Sequence, residues 1–168
     1  MHIFFIHYGE TTKNTENRHG VTDDHLTPRE REQSEVLAEK LKDKDIEAIF
    51  SSTLIRPKET AEILSKKINC PVILKQHLKE KVQFPEAEPS EAFRMRIQSV
   101  LREIILDVRY DCVAAVIQEG AMRVLFRDVL KKGEIAGNIA DCGFVEIEKT
   151  SEGLKIRSME GITLANGD

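Results

Sequence analysis

The sequence predicts an α/β fold, a three-layer α/β/α sandwich around a mostly parallel sheet. Apolar, β-prone runs alternate with amphipathic helical stretches in the order β-α-β-α-β-α-β-α-β-β. Residues 112–118 (CVAAVIQ) are continuously apolar, the pattern of a central strand buried on both faces of a parallel sheet. No internal repeat or low-complexity tract breaks the alternation. The 168 residues are read as one domain, residues 1–168, large enough to bury a proper core.

Residues 2–7 (HIFFIH) form a short apolar strand that stops at Gly9. Residues 10–26 are polar and read as a long loop. Thr27 then serves as N-cap and Pro28 as first residue of a helix, with Val36, Leu37 and Leu41 expected on its buried face. A second strand in IEAIFSS leads through Leu54 into a helix over RPKETAEILSKKI. Pro57 fits only the first turn of that helix, which places Arg56 at the strand-to-helix junction. A third strand lies in PVILK, with Pro71 at its start. The segment EKVQFPEAEPSEA reads as loop. From about Glu91 a helix carries Phe93, Ile97, Val100, Leu101 and Ile104 on one side. After CVAAVIQ come a helix over AMRVLFRDVLK and two strands, near FVEIEK and LKIRSM, joined by TSEG.

Composition narrows the function classes. The chain is 40% apolar and 32% charged, with a formal net charge of -4 spread over mixed-sign runs such as PREREQSEVLAEKLKDKD. No basic stripe argues for a nucleic-acid partner. No run approaches the roughly 20 apolar residues of a membrane span. The N-terminal residues read as strand, with no cleavable signal pattern. Cys70, Cys112 and Cys142 are scattered, odd in number and without C-x-x-C spacing, so they read as reduced thiols of a cytoplasmic protein. His2, His25 and His77 have no metal-like spacing and read as surface residues.

In a parallel sheet of this kind ligands bind beyond the carboxyl ends of the strands. The informative residues are therefore His7-Tyr8, Arg56, Glu80 and Gln118-Glu119. Residues 7–14 (HYGETTKN), HGVTDDHLTPRE, SSTLIRPKETA, Leu78-Lys79-Glu80 and VIQEGAMR occur in that order. Together they resemble the motifs of the histidine phosphatase (phosphoglycerate mutase-like) superfamily, over roughly residues 1–160. The tripeptide Arg18-His19-Gly20 resembles the first of those motifs but follows no strand. The aligned residues are His7-Tyr8-Gly9-Glu10-Thr11, and Glu30 stands where the family usually has glycine. The short distance from Glu80 to the last motif resembles compact members without an inserted helical cap.

The resemblance implies a phosphoglycerate mutase-like fold. It also implies a chemistry in which one histidine becomes phosphorylated while a second histidine and two arginines hold the phosphoryl oxygens. A carboxylic acid protonates the leaving group. Here the catalytic slots hold Tyr8, Gln118 and Glu80. A phenol of reference pKa about 10 is mostly protonated at neutral pH. Gln118 carries no charge, His7, in the first arginine slot, lacks the bidentate fork, and Glu119 stands where the resemblance implies a glycine beside the site. The phosphate-binding candidates are Arg56, His7, Tyr8, Asn14 and Gln118. Arg56 reads equally as a helix-start ion-pair partner, and Glu80 as an acid or a solvated loop carboxylate. Asn14 and Thr11 cap and brace the loop, and Arg123 makes a structural ion pair.

The reading is a catalytically degenerate member that keeps weak binding of phosphate or a phosphorylated small molecule. The alternative is an atypical phosphomonoester hydrolase or mutase-like enzyme using Tyr8 or a His7 re-aimed by a bulge. Neither a metal nor an organic cofactor is implied, since the family's transfer runs on imidazole and guanidinium.

Overall fold

A computed structural model describes residues 1–8, 25–81 and 87–165. The strands are β1 (His2–His7), β2 (Ala48–Ser51), β3 (Val72–Leu74), β4 (Cys112–Ile117), β5 (Phe144–Thr150) and β6 (Gly153–Glu160). The helices are α1 (Pro28–Leu41), α2 (Ile55–Ile68), α3 (Ser90–Ile105) and α4 (Glu119–Val124). The sheet order is β3-β2-β4-β1-β5-β6. The first four strands are mutually parallel, and β5 and β6 are added antiparallel. β4 lies inside the sheet and is buried at all six residues, as its unbroken apolar run predicts.

Strand alternation divides the core into two clusters. Ile3, Phe5, Phe50, Val113 and Ala115 join residues of α3 and α4, among them Phe93, Ile97, Leu101 and Met122. Phe4, Ile6, Ile49, Ala114 and Val116 pack against Leu37, Leu41, Ala61 and Leu64 of α1 and α2. Two helices thus cover each face, giving the three layers.

Thr27 caps α1 in a reciprocal box. The Glu30 amide donates to Thr27 Oγ1 at 3.2 Å, and the Thr27 amide donates to Glu30 Oε2 at 2.6 Å. Glu30 is therefore a buried capping residue. Val36 does not join the buried stripe: it is 55% exposed. The stripe runs through Ser34, Leu37, Ala38 and Leu41, and one residue of helix turns Val36 away from it. Leu54 and Pro57 open α2 as expected, and Asn69 ends it in the left-handed conformation, its amide donating to the Ser65 carbonyl.

The helix predicted after β4 begins two residues early, at Glu119, and ends in a π-helical turn, Leu125–Val129. Asp128 in that turn is buried and accepts from Arg94 Nε and Nη2 on α3 at 2.9 and 3.0 Å, and from Arg127. A short 3₁₀ turn, Gln76–Leu78, not anticipated from the sequence, leads to Glu80. The three cysteines form no disulfide, and burial pushes the Cys112 and Cys142 thiols up to about 11. Among the described residues no helix is long and apolar enough to cross a membrane.

Candidate functional site

The parallel strands β1, β2 and β4 end at one edge. His7 is the register partner of Ile117, and Ser51 that of Val116. Tyr8, Ser52 and Gln118, each one residue further, therefore leave the sheet side by side, at the edge where such sheets bind ligands.

His7 is 1% exposed. Its Nδ1 lies 3.4 Å from the Ala140 carbonyl oxygen. A carbonyl only accepts, so Nδ1 carries the proton and donates it, and Nε2 of the neutral ring holds a lone pair. That nitrogen is buried and has no hydrogen-bond partner among the described residues. Burial pushes the His7 pKa below its ordinary value. The Ala140 contact and the Glu119 and Asp141 carboxylates oppose that shift, and Arg123 adds to it.

The Ala140 carbonyl is placed by close backbone approach. The His7 amide donates to the Gly143 carbonyl at 2.8 Å, the Gly143 amide to Ala140 O at 2.9 Å, and the Ala140 amide to Gly161 O at 2.8 Å. A Cβ on Gly143 would sit 2.9 Å from Ala140 O, 3.1 Å from Glu160 O and 3.2 Å from Gly161 O. Only glycine fits there.

Tyr8 continues the phase of Phe4 and Ile6. It is 6% exposed and belongs to the apolar cluster under α1 and α2. Its ring stacks on that of His7, with centroids 5.6 Å apart and planes 27° from parallel. The pairing of β1 with β4 and β5 is in unbroken register, so the bulge that would re-aim His7 is not there.

Gln118 is 1% exposed. Its Nε2 donates to Ser52 Oγ at 3.3 Å, which leaves Oε1 buried and without a partner among the described residues. Ser52 Oγ also accepts from the Leu54 amide at 3.2 Å, so one hydroxyl both closes the turn into α2 and holds Gln118. Sequence reasoning quoted Ser52 inside a motif but gave it no role. The Ala140 carbonyl, 133 positions from His7, left no local signal at all.

Arg56 is partly buried in the first turn of α2, at the predicted junction. Glu80 Oε1 accepts from the Lys81 amide at 2.8 Å, and a Cβ on Gly120 would lie 2.8 Å from the same oxygen. Glu80 therefore reaches the first turn of α4, next to Glu119. The Glu119 carboxylate accepts from Arg123 Nε and Nη2 at 2.9 and 2.5 Å. Arg123 also donates to the carbonyls of Ile135 and Gly137, making the expected structural pair and a tie to the segment before β5. Asn14 and Thr11 lie outside the described residues, as do Gly9, Glu10 and Arg18-His19-Gly20. Among the described residues, no three His, Cys, Asp or Glu side chains are grouped to hold a metal ion.

The profile of the histidine phosphatase superfamily (branch 1) matches residues 3–82. The chain is 32% identical over 81 residues to a probable phosphoglycerate mutase, GpmB, of Photorhabdus laumondii. That stretch covers 48% of this chain and 38% of the relative, so the match spans well under half of the relative's length. Among solved structures, Bacillus stearothermophilus YhfR superposes with a TM-score of 0.81 at 18% identity, covering 95% of this chain and 96% of that one. A mutant phosphoserine phosphatase of Entamoeba histolytica, solved in complex with phosphoserine, gives a TM-score of 0.74 at 18% identity, covering 95% and 96%. At such identities the structures speak for the fold alone. By the profile, residues 3–82 belong to the histidine phosphatase superfamily, and the chain as a whole shares the fold of these solved structures.

Proposed function

We propose that this chain is a catalytically degenerate histidine phosphatase that binds phosphate or a phosphorylated small molecule at the strand edge without turning it over. The observation that carries the reading is Tyr8. The residue in the nucleophile slot is a buried phenol packed among aliphatic side chains, and the second histidine slot holds an uncharged amide bonded to Ser52. Phosphoryl transfer needs an attacking group and several positive donors around the phosphoryl oxygens. Neither Tyr8 nor Gln118 supplies an imidazole, and the neutral His7 ring supplies no fork of donors. Arg56 remains as the cationic anchor for an anion, and the phosphoserine held by the Entamoeba neighbour supports the ligand class.

A second reading is an atypical phosphomonoester hydrolase that attacks through His7. The Nδ1–H contact to Ala140 favours it, because it leaves Nε2 as a lone pair. The two readings differ in turnover of an aryl phosphate by the purified chain. The binding reading expects none, together with phosphate binding that weakens at least several-fold in Arg56→Ala. Turnover lost in His7→Ala would establish the second reading instead.

A further inference from the structure

The strand edge carries two buried acceptors where the family's chemistry uses donors. His7 Nε2 and Gln118 Oε1 have no partner among the described residues, and both residues are 1% exposed. They stand on adjacent parallel strand ends, since His7 pairs with Ile117 and Gln118 follows it. A buried acceptor without a donor is unfavourable, so a ligand that fits this edge must bring a hydrogen of its own. Among the described residues, the charged groups that act on the His7 ring are Glu119, Asp141 and Arg123, and Arg123 is already engaged by Glu119 and two carbonyls. The two carboxylates further disfavour a fully ionised anion at this spot.

We propose that this edge selects oxyanions that carry an O–H, such as inorganic phosphate or a phosphomonoester monoanion, over fully deprotonated ones such as sulfate, with His7 Nε2 accepting the ligand's proton in a hydrogen bond. The proposal rests on the anion-binding reading above and names the protonation state that reading requires. Sulfate offers only lone pairs to Nε2 and to Gln118 Oε1. Inorganic phosphate keeps at least one O–H throughout the neutral range. A phosphomonoester keeps one only below its second ionisation, near pH ~6. Burial of the His7 ring lowers its pKa and so favours the neutral, accepting form.

The test is an amide-shift NMR titration of the full chain with inorganic phosphate, sulfate and methyl phosphate at constant ionic strength. The expected result is phosphate binding on the order of tenfold or more tighter than sulfate, because a site built around a ligand hydrogen rejects the analogue that lacks it. Methyl phosphate should tighten as the pH falls through about 6, while sulfate does not. In His7→Arg, which replaces an acceptor by donors, the preference should collapse. The methyl phosphate arm needs only the natural chain and decides the matter even where that variant does not fold. Equal affinity for phosphate and sulfate, or sulfate tightening in parallel with methyl phosphate, overturns the selection and leaves anion binding standing. No shift at Tyr8, Gln118 or Glu119 with any of the three overturns both.

Discussion

Gln118 Nε2 donates to Ser52 Oγ at 3.3 Å, tying the carboxyl end of β4 to that of β2. The pair is an uncharged strut across the edge of the sheet. Ser52 is held in turn by the Leu54 amide, so the strut reaches into the start of α2 and the turn that carries Arg56.

Removing that strut should cost stability. Gln118→Ala deletes a buried hydrogen bond and leaves Ser52 with one partner fewer. The expected loss is about 1–2 kcal/mol, read from the urea midpoint at unchanged slope.

Gly143→Ala should cost more than its single methyl suggests. The new Cβ meets three carbonyl oxygens between 2.9 and 3.2 Å, none of them on a flexible side chain. A backbone shift is needed, with an expected loss of about 1–3 kcal/mol. It should also release the Ala140 carbonyl, and the ¹⁵N spectrum of His7 should then show a mixture of tautomers in place of the Nδ1–H form.

The His7 pKa has a consequence for acid stability. Burial lowers it in the folded chain, so between the reference value of about 6.5 and the depressed folded value the unfolded chain binds more protons. Stability should therefore rise with pH across that window and be lost as pH falls from about 6.5 toward the folded pKa. In His7→Phe this part of the pH profile should flatten. Thermal melts of both proteins from neutral pH downward check it.

Asp128 acts in a lower window. Its hydrogen bonds from Arg127 and Arg94 hold the carboxyl well below the usual carboxylate range despite burial. The stability it contributes is present above the unfolded carboxylate pKa of about 3.9 and lost as pH falls through the folded value. At neutral pH Asp128→Asn should cost about 1.5–3 kcal/mol. Arg94 and Arg127 are 40% and 42% exposed and recover water when the carboxylate goes, which limits the loss to that range.

The fold was legible because its signals are local. The short apolar run of β1, the Thr27-Pro28 start and the apolar run of β4 each act within a few residues, and each element forms where expected. The T-x-x-E spacing that makes Glu30 a capping residue is equally local, a capping-box pattern within four residues. Val36 was misplaced because adjacent apolar residues on a helix point about 100° apart, and Leu37 held the buried stripe. The site was legible only as a set of strand-end residues. What each does depends on contacts between distant segments: Ala140 fixes which nitrogen of His7 bears the proton, and Ser52 fixes which end of the Gln118 amide is left over. Neither partner is encoded by spacing near the residue it controls.

The proposed loss of phosphohistidine chemistry at this strand edge traces to the residues at four positions. Its most direct test is aryl phosphate turnover by the natural chain and by the combined variant His7→Arg, Tyr8→His, Gln118→His and Glu119→Gly. The expected result is no turnover above the buffer blank for the natural chain and measurable turnover for the variant. Turnover by the natural chain that disappears in His7→Ala or Tyr8→Phe would contradict it.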